Sequence, residues 1–399
     1  MRELVPSLVR ESDSKIVLLV LDGLGGVRTA GRASELAEAR TPNMDQLAAE
    51  GSSGVHTVVG PGITPGSGAG HMALFGYDPI TYLLGRGALS AAGVNFALRA
   101  GDVAARVNFC TVDDEGHVLD RRAGRISTET NQRLCTMIMN EIQMEAGIEV
   151  FVVTERDHRA LLVLRGLGLS ADLTDTDPGI TGVKPTFPTP RSNEATGTAA
   201  LVQSFLDQVR AILCDEQANF MLLRGFDTLR PIEAFPNRYL LKARGIASYP
   251  MYLGLSKIVG MDVSPATAGW MESVEDLKAN WYDYDYFYLH QKPTDSAGED
   301  GDFERKIAAI EQVDQTIPEI ASLGAGVICI TGDHATPAPL KRHSWHPVPF
   351  LMWGESVGTD GVDRFDEEAA RHGAFGYQYA KDLMAFMLAA AGRLATYGA

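Results

Sequence analysis

The chain has 399 residues, of which 45% are hydrophobic and 22% charged, and its formal net charge is −16. A chain of that length calls for a large core with one inserted or appended domain, and its composition excludes a disordered chain and a membrane protein. The acidic balance speaks against a general nucleic-acid or anionic-membrane surface and favours divalent cations, while a local cluster of Arg and Lys can still capture a small anion. Cys110, Cys135, Cys214 and Cys329 stand far apart with no Cys-x-x-Cys pair, which argues against a zinc knuckle or a redox dithiol. The stretch 1–15 lacks the apolar run of a leader and no later run is long enough to span a bilayer, so the expected location is the cytoplasm.

In chain order, Ile16-Val17-Leu18-Leu19-Val20-Leu21 is a continuous aliphatic run, as expected for a strand buried on both faces of a parallel or mixed sheet. It stops at Asp22-Gly23. Ligands of open α/β sheets gather beyond the carboxyl ends of strands, so Asp22 falls where a functional carboxylate belongs, although Asp-Gly is also an ordinary turn. Thr41-Pro42 opens a helix ending near Gly51, and Val55 to Val59 reads as a strand. That strand feeds Pro61-Gly62-Ile63-Thr64-Pro65-Gly66-Ser67-Gly68-Ala69-Gly70-His71. Here one hydroxyl, Ser67, sits among glycines that let the backbone approach an anion, and the following residues open a helix whose N-terminus attracts negative charge. Taken alone, the same stretch fits a plain loop.

Residues 94–184 read as a smaller α+β domain, with strands over 104–112, 150–154 and 160–164 and a helix over 128–145. Residues 1–93 and 185–399 then form the larger domain, and the Pro-rich segment 184–190 is its return link. The smaller domain concentrates cations, among them Arg121, Arg122, Arg125, Arg159 and Arg165, which are either solvated surface groups or parts of an anion clamp. Further on, a helix is expected over 199–213, a strand at 221–223, and a helix after Lys242-Ala243-Arg244-Gly245. The alternation from Tyr282 to Leu289 fits a strand running into His290-Gln291-Lys292-Pro293-Thr294-Asp295-Ser296-Ala297-Gly298-Glu299. Phe303, Ile307, Ile310, Val313 and Ile317 mark a helix, 326–331 repeats the buried strand ending in an acid, Asp333-His334, and 374–393 is the closing helix.

Separate strand ends thus deliver Asp22, Asp295 with Glu299, and Asp333-His334, and a loop adds His343 and His346. Carboxylates and imidazoles suit Mn²⁺, Mg²⁺ or Zn²⁺, and a pair of such ions can activate an oxygen nucleophile beside a transferring phosphoryl group. Each residue alone also has a duller use, as a helix cap or a surface group.

Several stretches together resemble the archaeal-type cofactor-independent phosphoglycerate mutases of the alkaline phosphatase superfamily. They are Pro65 to Leu74, Gly76-Tyr77-Asp78-Pro79, Thr174 to Pro178, Thr294 to Gly298, Thr331 to His334 and His343 to Pro349. The resemblance implies an alkaline-phosphatase-like α/β fold, a largely parallel mixed sheet flanked by helices with a smaller inserted α+β domain for substrate. It implies interconversion of 3-phosphoglycerate and 2-phosphoglycerate, a step of glycolysis and gluconeogenesis, with Ser67 as the nucleophile that becomes phosphoserine and with no bisphosphoglycerate cofactor. Asp22, Ser67, Asp333 and His334 would bind one divalent ion; Asp295, His343 and Glu299 the second, Glu299 standing where the family usually has histidine. His346 would have no direct ligand role. His158, Arg159 and Arg165, in a segment similar to the family's Gly-His-Arg-Ala-Val-Leu-Val-Leu-Arg-Gly, and Lys242 would contact the substrate. A phosphatase or phosphotransferase acting on another small phosphate ester on the same scaffold stands as the alternative, and so does a metal- or phosphometabolite-binding protein without catalysis. The partner is a small phosphorylated molecule rather than nucleic acid or membrane; the sequence leaves the oligomeric state open.

Overall fold

The computed structural model describes residues 4–398. In chain order its strands are β1 (Ile16–Leu21), β2 (Ser52–Thr57), β3 (Val103–Val112), β4 (Val118–Asp120), β5 (Glu149–Arg156), β6 (Arg159–Arg165), β7 (Phe220–Asp227), β8 (Ala243–Ala247), β9 (Asp262–Val263), β10 (Tyr286–Gln291), β11 (Val327–Thr331), β12 (Val348–Trp353) and β13 (Gly376–Tyr379). The chain divides into two compact units, with break points at Leu83/Leu84 and Pro231/Ile232.

The first unit holds an eight-stranded sheet in the order β13-β2-β12-β11-β1-β10-β8-β9. Its centre is parallel: β1 lies between β10 and β11, with Leu19 opposite Leu289 on one side and Ile330 on the other. Every residue of β1 is buried, the outcome expected when a six-residue aliphatic run is covered on both faces. Only β12 runs against its neighbours, pairing antiparallel with both β11 and β2. Because β1, β10 and β11 point the same way, their carboxyl ends open on one edge of the sheet, and the loops after them carry Asp22, the Pro293–Asp300 helix and Asp333-His334.

The second unit is an antiparallel sheet in the order β4-β3-β6-β5, with β7 also paired to β3. It is wider than the 94–184 stretch expected from sequence. β7 adds a strand to β3, and the Thr196–Ile212 helix buries Val202, Phe205, Leu206 and Val209 in the same core as Val103, Val107 and Phe109 of β3. The Pro-rich segment 184–190 therefore stays within this unit, bridged at Pro190 to Leu173, and is not the return link.

Two local expectations are also corrected. Lys242-Ala243-Arg244-Gly245 leads into strand β8, not directly into a helix, because residues 243–247 find a parallel partner in β10. The closing segment is not one helix either: residues 376–379 pair with β2 as edge strand β13, and the helix occupies Leu383–Ala390. No helix among the described residues is long and apolar enough to cross a membrane.

Candidate active site

Three side chains converge on one atom of a fourth. His334 Nε2 lies 3.1 Å from Ser67 Oγ, 3.4 Å from Asp22 Oδ1 and 3.3 Å from Asp333 Oδ2. Asp22, Asp333 and His334 are fully buried. Ser67 is the first residue of the Ser67–Leu74 helix, whose backbone bonding starts with Gly70 N–H to Gly66 O, so the amides of residues 67–69 have no intrahelical acceptor. The fit of this helix against the acid loop depends on Gly70, where a Cβ would lie 2.4 Å from the Asp333 carbonyl oxygen. Gly23, at φ +65°, makes the turn that swings Asp22 off β1, and its N–H donates to Asp333 Oδ1 at 3.1 Å.

The hydrogen-bond network assigns the tautomer of His334. Thr336 Oγ1 lies 2.6 Å from Asp295 Oδ1 and 3.0 Å from His334 Nδ1. A carboxylate can only accept, so the single hydroxyl hydrogen goes to Asp295 and the oxygen accepts from His334 Nδ1–H. That leaves the lone pair of Nε2 facing two carboxylate oxygens, Asp22 Oδ1 and Asp333 Oδ2, neither of which receives a hydrogen bond. Three electron-rich atoms packed together away from water are a costly arrangement until a cation sits among them. Burial lowers the His334 pKa, keeping the imidazole neutral and fit to ligate. Burial alone would raise the Asp22 carboxyl, but Lys292, His290 and His334 outweigh it and hold it well below the usual range.

A second group lies beside the first: Asp295, His343 and again His334 offer ligand atoms within 4.8 Å of one another, as Asp22, Asp333 and His334 do. His343 Nδ1 donates to the Pro65 carbonyl at 3.1 Å, which leaves Nε2 bare 3.5 Å from Asp295 Oδ1 and 3.8 Å from Glu299 Oε1. Glu299 is one helical turn beyond Asp295 on the Pro293–Asp300 helix, so both carboxylates share a face. Burial and then Asp295 raise its pKa. Carboxylates, imidazoles with free Nε2 and a serine hydroxyl make a donor set that fits divalent ions such as Mn²⁺, Mg²⁺ or Zn²⁺.

The remaining expected residues lie elsewhere. Lys242 precedes β8, and the register Ala243↔Tyr286↔Ile16 puts it at the amino ends of the parallel strands, about 20 Å from Asp22 at the strand rise of roughly 3.3 Å per residue. Its ammonium rests over the Tyr284 ring instead. The lysine that does reach the cluster is Lys292, 3.1 Å from Asp22 Oδ2 and 2.5 Å from Asp295 Oδ2. In the second unit His158 occupies the turn between β5 and β6, and Arg159 begins β6. Arg165 ends β6, about 20 Å away by the same rise, with its guanidinium committed to Asp102 through bonds of 2.8 and 2.7 Å. His346 bonds Ser344 Oγ at 3.0 Å and stacks on Trp345.

Four groups were not singled out from sequence: Lys292, Tyr252, His290 and Thr336. Tyr252 donates to Asp22 Oδ2 and stacks on His290, which contacts the same oxygen at 3.1 Å. Lys292 and Thr336 had a readable signal, standing three residues before Asp295 and two after His334; Tyr252 had none.

The family model described as 2,3-bisphosphoglycerate-independent phosphoglycerate mutase matches residues 48–219. A curated relative from Thermus thermophilus, described as a probable mutase of that kind, is 46% identical over 98% of this chain and 98% of its own. One from Deinococcus radiodurans under the same description is 45% identical over 99% of this chain and 98% of its own. Among solved structures, the PH0037 protein from Pyrococcus horikoshii superposes with a TM-score of 0.82 at 28% identity, covering 97% of this chain and 99% of that one. The cofactor-independent phosphoglycerate mutase from Thermoplasma acidophilum gives 0.70 at 28% identity, covering 95% and 100%. Likeness of this extent makes the chain an enzyme, an isomerase by class. It belongs to the 2,3-bisphosphoglycerate-independent phosphoglycerate mutase family.

Proposed function

We propose that the chain interconverts 3-phosphoglycerate and 2-phosphoglycerate through a phosphoserine at Ser67 beside two divalent ions, as a cytoplasmic step of glycolysis and gluconeogenesis. The observation that carries this reading is the convergence of Ser67 Oγ and two buried carboxylate oxygens on the bare Nε2 of His334. Asp22, Ser67, Asp333 and His334 would hold one ion, and Asp295, His343 and Glu299 the other. Bound there, the ions would offset charge on the phosphoryl group and favour the serine alkoxide.

The chain's own groups then do the following. Ser67 Oγ attacks phosphorus in line as the bond to the substrate's 3-oxygen breaks; the serine gives up its proton and the departing oxygen takes one up. The free amides at the start of the Ser67–Leu74 helix point at the incoming phosphoryl oxygens. Lys292, its ammonium raised in pKa by Asp22 and Asp295 against the effect of burial, remains charged beside them. For the return, the 2-hydroxyl of glycerate attacks, the bond from Oγ to phosphorus breaks, and Ser67 regains its proton. No water is consumed, and keeping water out separates a mutase from a phosphatase. His158 and Arg159 would bind the substrate, whereas Arg165 is committed to Asp102 and Lys242 rests over Tyr284.

The test combines trapping with substitution. Acid quenching during turnover should yield a phosphorylated peptide containing Ser67, and Ser67→Ala should lose mutase activity by about 10³-fold or more, in the range seen for covalent nucleophiles. Near-wild-type turnover by Ser67→Ala would rule out the covalent route. Release of phosphate from a panel of esters without formation of 2-phosphoglycerate would favour the phosphatase alternative.

A further inference from the structure

Lys306 is a lysine in a core position. The Phe303–Asp314 helix buries Phe303, Ile310 and Val313 along one stripe, and Lys306 falls on that stripe with 0% of its surface exposed. A buried ammonium is costly unless its donors are used. Here Nζ donates to the carbonyls of Gly23 at 2.9 Å, Thr336 at 2.9 Å and Gly25 at 3.3 Å, with Glu35 Oε1 at 3.9 Å. Three acceptor carbonyls match the three hydrogens of an ammonium, whereas a neutral amine would leave one short. Burial lowers its pKa, and Glu35 and Glu367 work in the opposite direction.

The carbonyls belong to the two loops that deliver the acid cluster. Gly23 follows Asp22 directly, and Thr336 is the residue whose hydroxyl fixes the His334 tautomer and bonds Asp295. Glu35 extends the tie, accepting from Ala338 N–H at 2.6 Å, while Glu367 accepts from Gly26 N–H at 2.7 Å and from Ser34. Asp22 and Asp333 carry like charges in a dry site, so the loops that bear them are pushed apart unless something fixes their backbones.

We propose that Lys306 is a positioning residue: its ammonium clamps the loops after β1 and β11 so that Asp22, Asp333 and His334 are held in ion-binding geometry before an ion arrives. This inference rests on the reading of the cluster as a divalent-ion site. Lys306 touches neither substrate nor any of the proposed ion ligands, and acts only through the backbone of the loops carrying them.

The experiment is Mn²⁺ binding to metal-free protein by titration calorimetry, with metal-free melting recorded in parallel. Wild type is compared with Lys306→Met/Glu35→Gln, a pair of changes that removes the ammonium together with its nearest carboxylate, and with Lys306→Gln, which keeps two N–H donors. Outer-layer partners of metal ligands typically govern affinity by about 10–100-fold, so the double variant should bind Mn²⁺ weaker by that factor, with Lys306→Gln between it and wild type. In turnover assays the Mn²⁺ concentration for half activation should rise while KM for 3-phosphoglycerate stays within about twofold, the split expected when only a ligand-orienting contact is lost. A lowered melting temperature with Mn²⁺ affinity within about twofold of wild type in either variant would show a merely structural role and overturn the inference. Absence of Mn²⁺ binding by wild type would instead sink the ion-site reading.

Discussion

The acid cluster at the strand ends and the turn between β5 and β6 are built on opposite principles. In the cluster Asp22, Asp295 and Asp333 are buried and held by named partners, and two of their oxygens, Asp22 Oδ1 and Asp333 Oδ2, are left without a hydrogen bond. At the turn, His158 is the buried group, and the chain on either side of it is pinned by Asn131, whose Nδ2 donates to the carbonyls of Asp157 and Arg159 at 2.7 and 2.8 Å. Burial, followed by Arg159 and Arg122, lowers the His158 pKa to about 4, so it is neutral at pH 7. Among the described residues none of Arg122, Arg125 and Arg159 has an ion-pair partner. The candidate cation site thus leaves acceptor oxygens facing one another inside a buried core, whereas beside the His158 turn the guanidiniums of Arg122, Arg125 and Arg159 are left unpaired.

Breaking the first half of that contrast should have the largest effect. Thr336→Val removes the acceptor that fixes His334 Nδ1–H and frees the ring to present the wrong nitrogen; Mn²⁺ affinity, read by calorimetry, should fall by about 10–100-fold. The second half is tested by Arg159→Ala, which should raise KM for 3-phosphoglycerate by about tenfold, the worth of one charge-assisted hydrogen bond, with kcat little changed.

Acid exposes a cost that both regions share. His56, fully buried on β2, has its pKa lowered by burial to about 4, like His158. An unfolded imidazole binds its proton near pH 6.5, so between about pH 6.5 and 4 the unfolded state holds more protons and stability falls as pH falls. Each such histidine contributes at most about 1.4 kcal/mol per pH unit in that window, and His56→Gln and His158→Gln should each flatten the dependence in urea melts. A slope unchanged by both substitutions would contradict the assignment. The smallest effect is expected from Glu299→His, since the Glu299 side chain is more than half exposed: a shift of a few-fold in preference from Mn²⁺ towards Zn²⁺, measured by competition, with melting unaltered.

Much of the cluster was legible because its residues follow recognisable strands. Ile16–Leu21 and the run before Asp333 read as buried strands, and an acid directly after such a strand has few places to go. Asp22, Ser67, Asp295, Asp333, His334 and His343 accordingly come together, with Glu299 at the margin. What was not legible depends on register and on long-range pairing. Lys242 resembles a site lysine by its neighbours, yet β8 pairs so that it sits at the far ends of the strands. Tyr252 reaches Asp22 across a sequence gap that no local pattern encodes. Likewise β13 is a short edge strand whose pairing with β2 overrides the helix-like composition around it.

Gly70 brings the serine helix and the acid loop so close that even a methyl group would collide with the Asp333 backbone. The proposed nucleophile and the proposed ion-binding acid therefore share a single mechanical joint. Glu299 stands at the half-exposed margin, but this one contact leaves no slack, and a designer seeking new chemistry on this scaffold should vary the rim and leave the joint alone.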